Sequence, residues 1–178
     1  MQPGANTKNA DDSDSPITVL IVVDVETLLS RYADSTTSEA TVVADSIHFY
    51  VLASCDDEPL GRNDARIDLA AKPGDYIRIR AISLALRGEH SVLLHSIAHA
   101  QSEILAPFDL VLPGALTVAT PNADNLLEPG RQSIDDHFWQ SQVVASGIAE
   151  CDLDFMVVDT ACALAGYFRY HLQIGIAQ

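Results

Sequence analysis

Basic side chains are scarce in this sequence. Its 178 residues include 10 Lys and Arg against 25 Asp and Glu, which gives a net charge of −15. Only two of the cations are lysines, Lys8 and Lys72. Nucleic acids and anionic membrane surfaces are bound through clustered cations. The composition therefore argues against both as partners, and the same charge surplus favours solubility.

Cysteine is also sparse, and its pattern excludes the common cysteine-based frameworks. Cys55, Cys151 and Cys162 are odd in number and widely spaced, and no CxxC occurs. A disulfide scaffold or a zinc knuckle needs paired, closely spaced cysteines. Buried, reduced thiols are therefore expected.

Long apolar runs are missing as well. The longest, such as Ile17–Val23, is far shorter than the ~20 residues that span a bilayer. Residues 1–15 lack the basic start and apolar centre of a signal peptide. These absences predict a cytoplasmic protein in which residues 1–15 are a disordered acidic tail and residues 16–178 form one domain.

No stretch of the sequence spells out a reaction. GxSxG and a glycine-rich phosphate loop are absent, and His95 and His99 lack the glutamate of HExxH. We therefore expect no catalytic residue, no metal site and no cofactor. A hydrolase stays open as an alternative, because carboxylates and an imidazole can act as acid and base. Its candidate side chains are Asp24, Glu26 and His137, although the first two are equally suited to a solvated strand end.

The clearest structural signal is the alternation of apolar and polar residues near the C-terminus. From Phe168 to Ile176 the apolar residues share one parity, and Tyr167, Arg169, His171 and Gln173 share the other. Cys151 to Val157 alternate in the same way. Because successive strand side chains point to opposite faces, both segments are predicted to be half-buried strands.

Turn signals separate further short apolar segments. Strands are predicted at 17–23, 45–53, 67–69 and 76–84, and edge segments at 104–112 and 116–119. The segment 91–98 could be a strand or the start of a helix. Strands at this spacing favour an all-β fold, a single antiparallel β-sandwich of jelly-roll or Greek-key type.

Three stretches taken together resemble one protein family. They run from Thr18 to Leu29, from Pro73 to Leu84 and from Phe138 to Phe168. In order and spacing they are similar to the AidA/PixA family of bacterial proteins, also called inclusion body proteins. The resemblance implies small cytoplasmic proteins whose production follows quorum sensing or growth phase. It also implies that some members accumulate as inclusions or are linked to host colonisation and virulence, and it carries over no catalytic residue.

The resulting prediction is a non-enzymatic protein that acts by self-association or binding. Edge strands expose unpaired backbone groups, and few lysines are available to protect them, so a homodimer is expected. A small-ligand module, such as a carbohydrate binder, is the alternative. Its candidate contact residues are Trp139, Tyr167, Tyr170 and His137.

Overall fold

Eleven β-strands and one short α-helix make up the part of the chain that the structure describes. The computed structural model describes residues 16–35, 39–54, 60–62, 65–85 and 88–177. In chain order the elements are β1 (Ile17–Val23), α1 (Val25–Arg31), β2 (Thr41–Val43), a 3₁₀ turn (Ser46–His48), β3 (Phe49–Ala53), β4 (Leu60–Arg62), β5 (Arg66–Ala70), β6 (Tyr76–Ser83), β7 (His90–His99), β8 (Asp109–Thr120), β9 (Gly130–Gln142), β10 (Gly147–Asp159) and β11 (Leu164–Ala177). The predicted tail, residues 1–15, lies outside the described residues.

The strands form two sheets that enclose a single core. Sheet I has the order β4-β3-β1-β6-β9-β8, and sheet II has the order β2-β11-β10-β7, with β5 also paired to β11. Inward-facing side chains from both sheets, such as Ile21, Ile79, Leu153 and Phe168, are fully buried together. The predicted β-sandwich is confirmed.

Strand pairing is mixed. β1 and β6 run parallel, and β11 has parallel partners in β2 and β5. The other described pairings are antiparallel. Parallel neighbours need a long crossover connection, and here β2 to β5 lie between β1 and β6 in the chain. The sandwich is therefore not the purely antiparallel one that the turn signals suggested.

The two long C-terminal strands carry the predicted faces. The inward-facing apolar residues of β10 and β11 are buried, and the ring of Phe155 stacks on Phe168 with centroids 5.5 Å apart. The opposite face is polar, but Asp154 on it is also buried because Arg169 binds both of its carboxylate oxygens, at 2.6 and 2.7 Å. Alternation of apolar and polar residues with a period of two was therefore sufficient to predict this part of the core.

Helix α1 follows directly from the end of β1. The carboxylate of Asp24 accepts a hydrogen bond from the backbone N–H of Thr27 at 3.2 Å, which satisfies a donor of the first helical turn. Val25 and Leu28 are buried beneath the sheets, while Glu26 is exposed. Asp24 is thus the N-cap of a helix that continues directly from β1.

The prediction of a single strand over 45–53 is wrong in its first half. Residues 46–48 form a 3₁₀ turn, so the alternation expected between Ile47 and Phe49 is broken. Ile47 is exposed, whereas His48 and Phe49 are both buried. From Phe49 onward the strand alternates as predicted.

Strand β8 is one edge of sheet I and runs through Pro113. The pairing register with β9 shifts between Val111 and Gly114, and Gly114 takes a φ of +88°, which suits glycine. Pro113 has no N–H to donate, and an edge strand with a bulge tolerates that loss. The two predicted edge segments are therefore joined as one bulged edge strand, which begins at Asp109.

Candidate functional site

Trp139 joins the two sheets. It lies on β9 in sheet I, and its indole N–H donates to the backbone carbonyl of Leu94 on β7 in sheet II at 3.0 Å. Its ring packs against the core and is only partly buried. The side chain therefore satisfies a carbonyl of the β7 edge, and this role accounts for its position.

The two tyrosines of β11 point to opposite faces of sheet II. Tyr170 is 2% exposed, and its ring stacks on Phe49 with centroids 3.8 Å apart. Tyr167 faces outward and meets His95 edge-to-face at 6.0 Å. One ligand cannot contact both rings, and Tyr170 would have to leave the core to contact any.

His137 is half-buried on β9, two residues before Trp139. The four predicted contact residues are thus spread over the core, the outer face of sheet II and sheet I. Ligand contact by Trp139, Tyr167 or His137 stays a prediction. The hydrolase candidates do not have a common role either, because the Asp24 carboxylate is used as a helix cap.

The histidines four residues apart on β7 do not share a face. β7 pairs with β10 so that Ser96 opposes Asp154 and Leu94 opposes Phe155, which leaves His95 as the extra residue of a bulge. His95 therefore faces outward while His99 lies opposite Cys151 on the inner side, with its Nε2 3.0 Å from the carbonyl of Ala106. Within the described ranges, no three His, Cys, Asp or Glu side chains are grouped to hold a metal.

The described cysteines differ from each other. Cys151 is buried and Cys162 is exposed, so the expectation of buried thiols holds for the first and is wrong for the second. Burial, helped by the charge of Asp152, raises the pKa of the Cys151 thiol to about 12. Cys151 is therefore a packing residue with no thiolate to offer at neutral pH. Cys55 lies outside the described residues.

Two arginines cover an aromatic ring on the outer face of sheet I. The guanidinium carbons of Arg78 and Arg80 lie 4.5 and 5.0 Å from the ring centre of Phe138, which is 4% exposed. Arg78 donates to the amide oxygen of Gln140 at 2.9 Å, and Arg80 forms a two-point ion pair with Asp136. Both arginines are thus bound by side chains of β9.

The Arg80–Asp136 pair has an electrostatic consequence. The hydrogen bond from Arg80, opposed by partial burial and helped by its charge, holds the pKa of Asp136 below its ordinary value. The same bond raises the pKa of Arg80. Because Arg80 is on β6 and Asp136 on β9, the pair fixes β9 to the centre of sheet I just beyond the point where backbone pairing of β6 and β9 ends, at Ile79 and Trp139.

An apolar patch lies beside these arginines on the same outer face. Val22 pairs with Tyr50 on one side and Ile82 on the other, and Leu20 pairs with Leu52. Tyr50, Leu52 and Ile82 are each at least 38% exposed. We call these five residues the sheet I patch. No described segment covers it, so β1 is central in its sheet, as predicted, but is covered on one face only.

Beyond Asp136 the strands β8 and β9 continue as a two-stranded ribbon. We call residues 114–136 the β8–β9 arm; its strands pair from Gly114–Asp136 to Thr120–Gly130. Only residues 139–142 of β9 pair with β6, so β8 is the only described strand beside this part of β9. Leu126 and Leu127, at the turn of the arm, are 77% and 92% exposed, and Leu116 and Ile134 are also exposed on its sides.

Along the middle of β10 and β11, the outer face of sheet II is polar by contrast. Cross-strand partners there are complementary: Asp154 with Arg169, Asp152 with His171 and Glu150 with Gln173. A shallow depression of about 170 Å³ is lined by Glu150, Cys151, His171, Leu172 and Gln173. A second void, of about 10 Å³, lies within the apolar core and offers room for about one water.

No helix of the described residues is long and apolar enough to cross a membrane. A search of curated proteins found no match. Among solved structures, the chain is similar to the crystal structure of an inclusion body protein (PixA) from Burkholderia cenocepacia J2315, with 18% sequence identity and a TM-score of 0.67 over 95% of this chain and 99% of that one. At this identity the likeness establishes the fold.

A family model extends the likeness to the sequence itself. The model of the PixA inclusion body protein family matches residues 15–176, which include every described strand except the last residue of β11. The match also agrees with the resemblance carried by the stretches around β1, β6 and β9 to β11. This chain belongs to the PixA family of inclusion body proteins.

Proposed function

We propose that this protein is non-enzymatic and works by associating with copies of itself in the cytoplasm. The observation that carries the proposal is the concentration of exposed apolar side chains on sheet I. They occupy the sheet I patch and the β8–β9 arm, where Leu126 and Leu127 are 77% and 92% exposed; Leu112, just before the arm, is 70% exposed. Contiguous exposed apolar surface on a soluble chain is typical of an interaction site.

The same surface is poorly suited to chemistry. Beside the sheet I patch, the charged groups Arg80 and Asp136 neutralise each other, and Arg78 is held by Gln140. Acid–base catalysis needs groups with perturbed pKa values that converge on a cleft. The groups with shifted pKa values on this surface are the two members of one ion pair on a sheet face. This is a structural arrangement.

Sedimentation velocity of the purified chain from low to high micromolar concentration tests the proposal. We expect the 19.2 kDa monomer to give way to dimers or larger species as concentration rises. The triple variant Tyr50→Ser, Leu52→Ser, Ile82→Ser serves as a probe of the sheet I patch, and its melting temperature provides the folding control. A wild-type monomer at every concentration would overturn the proposal.

A small-ligand role is a second candidate, favoured by the polar depression on sheet II. Glu150, His171 and Gln173 supply hydrogen-bonding groups of the kind that sugar hydroxyls use. A thermal-shift screen against glycans and metabolites tests it, with His171→Ala as the site variant. A compound that raises the melting temperature of His171→Ala as much as that of the wild type would bind elsewhere.

A further inference from the structure

One strand edge of this acidic molecule carries no charge. β8 is the outer strand of sheet I, and no described strand pairs with its free side. Residues 110–123, which lie between Asp109 and Asp124, are all uncharged. Natural edge strands are commonly protected by charged side chains, and this one has prolines and a bulge instead.

The prolines delimit a short segment that can accept a partner strand. Pro113 and Pro121 flank Gly114–Thr120, and neither proline can donate a backbone hydrogen bond. The segment is seven residues long, and Thr117 is its centre. An antiparallel partner strand aligned between the two prolines would therefore be centred on Thr117.

Within the described residues, no third strand supports the arm. Its two strands extend past the last β6–β9 pair, and a two-stranded ribbon is at best marginally stable alone in water. Leu116 and Ile134 are directly paired on one face of the ribbon and are 47% and 38% exposed. Two strands of a second copy, added at the β8 edge, would widen the ribbon to four strands.

We propose that β8 pairs antiparallel with β8 of a second copy across a two-fold axis at Thr117, joining two copies of sheet I into one sheet. This inference rests on the proposed self-association and names its contact. A two-fold axis brings a strand against itself in antiparallel orientation. Thr117 then faces Thr117 of the other copy, and Leu116 faces Val118.

Charge favours a second copy at this edge. Two copies each carry a net charge of −15, so contact through most of their surface would bring carboxylates together. Like charges directly opposite each other destabilise paired strands. Along Gly114–Thr120 the facing side chains are all uncharged, and Leu116 and Val118 of both copies extend the apolar row that begins at Ile134.

Charge reversal at the axis tests the pairing. Thr117→Glu and Thr117→Lys each place two like charges opposite each other in a homodimer, and each variant alone is expected to dimerise at least about tenfold more weakly. An equimolar mixture brings Glu against Lys, and its dimerisation should return to within about threefold of wild type. Thr117 is exposed, so both variants should melt near the wild-type temperature.

Ser133 supplies the matched control. It pairs with Thr117 within one chain, on β9, and is one strand removed from the edge. Ser133→Glu and Ser133→Lys change the net charge by the same amounts and should leave dimerisation within about threefold of wild type. Equal weakening by the two pairs of variants would overturn the pairing.

The outcomes separate this inference from the proposed function. If the wild type associates but the Thr117 variants associate equally well, or if their mixture fails to recover, the β8 pairing is wrong and self-association stands. If the triple variant of the sheet I patch alone abolishes association, the contact lies on that patch and the pairing is again wrong. A monomeric wild type would overturn both.

Discussion

At the scale of single residues, a complementary partner accounts for the one buried carboxylate among the described residues. Asp154 is buried because Arg169 binds both of its oxygens, and this two-point bond raises the pKa of Arg169. Removing one partner of such a pair leaves the other without compensation. Aromatic packing is the second residue-scale contribution, since Phe155, Phe168, Phe49 and Tyr170 are in contact through stacked or edge-on rings.

Truncation of either stacked phenylalanine should destabilise the sandwich strongly. Phe155 and Phe168 are 3% and 0% exposed, so Phe155→Ala or Phe168→Ala removes a ring and leaves a cavity. We expect each to lower the free energy of unfolding by roughly 3–5 kcal/mol, measured by urea denaturation. The exposed aromatic control Tyr76→Ala should cost less than about 1 kcal/mol. A buried variant as stable as that control would contradict the packing.

The ion pair at the base of the β8–β9 arm should make stability depend on acid. Arg80 lowers the pKa of Asp136 from its ordinary value of 3.8, so the pair's contribution is complete above about pH 4 and is lost as pH falls through the lowered pKa. Asp136→Asn should therefore cost about 1 kcal/mol at pH 7. The difference from wild type should shrink as pH falls below 4.

Thermal melts from pH 7 to pH 2 measure that difference. Asp124→Asn, at the exposed turn of the arm, is the control and should follow the wild type throughout. A constant gap between Asp136→Asn and wild type down to pH 2 would show that the loss comes from packing and not from charge.

At the scale of elements, the segment after α1 is held against β11 at a glycine. The backbone N–H of Tyr167 donates to the carbonyl of Ser35 at 2.9 Å, which attaches the chain between α1 and β2 to sheet II. A β-carbon on Gly166 would lie 2.8 Å from the hydroxyl oxygen of Ser35 and 2.5 Å from the ring of Phe168. Close approach of two chain segments is the reason for glycine at this position.

Gly166→Ala should therefore loosen this attachment. We expect a loss of roughly 1–3 kcal/mol, the usual cost of overpacking, together with faster amide exchange at Tyr167. The control is Ala165→Ser, at a half-buried neighbour. Another glycine, Gly88, would be unsuitable for a Gly→Ala control because its φ is positive. Unchanged exchange at Tyr167 would contradict the close approach.

At the scale of the whole molecule, charge opposes assembly and apolar surface on sheet I favours it. Raising the salt concentration shortens the Debye length from about 10 Å at 0.1 M to about 3 Å at 1 M. Repulsion between copies of charge −15 should weaken accordingly, so larger assemblies should form at high salt. Light scattering at constant micromolar concentration is the measurement. Assemblies that shrink as salt rises would show that attraction between charges holds them together.

The sequence predicts local pattern well and long-range partners poorly. The alternation in β10 and β11 and the turn at Lys72–Asp75 depend on neighbouring residues, and the structure has both. The parallel partners of β11 depend on contacts across more than 100 residues, for which no local signal exists. The bulge at His95 places His95 and His99 on opposite faces for the same reason, because register is set by the partner strand.

The candidate surface could be predicted only in part from the sequence. Arg78 and Arg80 on one parity indicated an exposed or paired face, and the edge character of β8 followed from its prolines. The uncovered patch on β1 was not predictable, because a strand that is apolar on both parities normally has cover on both faces. Tyr170 shares the parity of the apolar residues of β11, and that parity predicts a buried side chain. Its hydroxyl suggested a contact residue, but the parity was the stronger evidence.

The pairing of β11 has a consequence for synthesis on the ribosome. β11 follows both of its parallel partners in the chain. Val43 therefore stays without its pairing partner until Tyr170 is synthesised, 127 positions later (170 − 43). At ~5–20 residues per second, that interval lasts roughly 6–25 seconds. Until β11 emerges, β2 and β5, and later β10, are without the strand that joins them. We expect nascent chains halted at Asp159 to remain sensitive to protease and to be captured by chaperones, and resistance at that length would show that sheet II forms without β11.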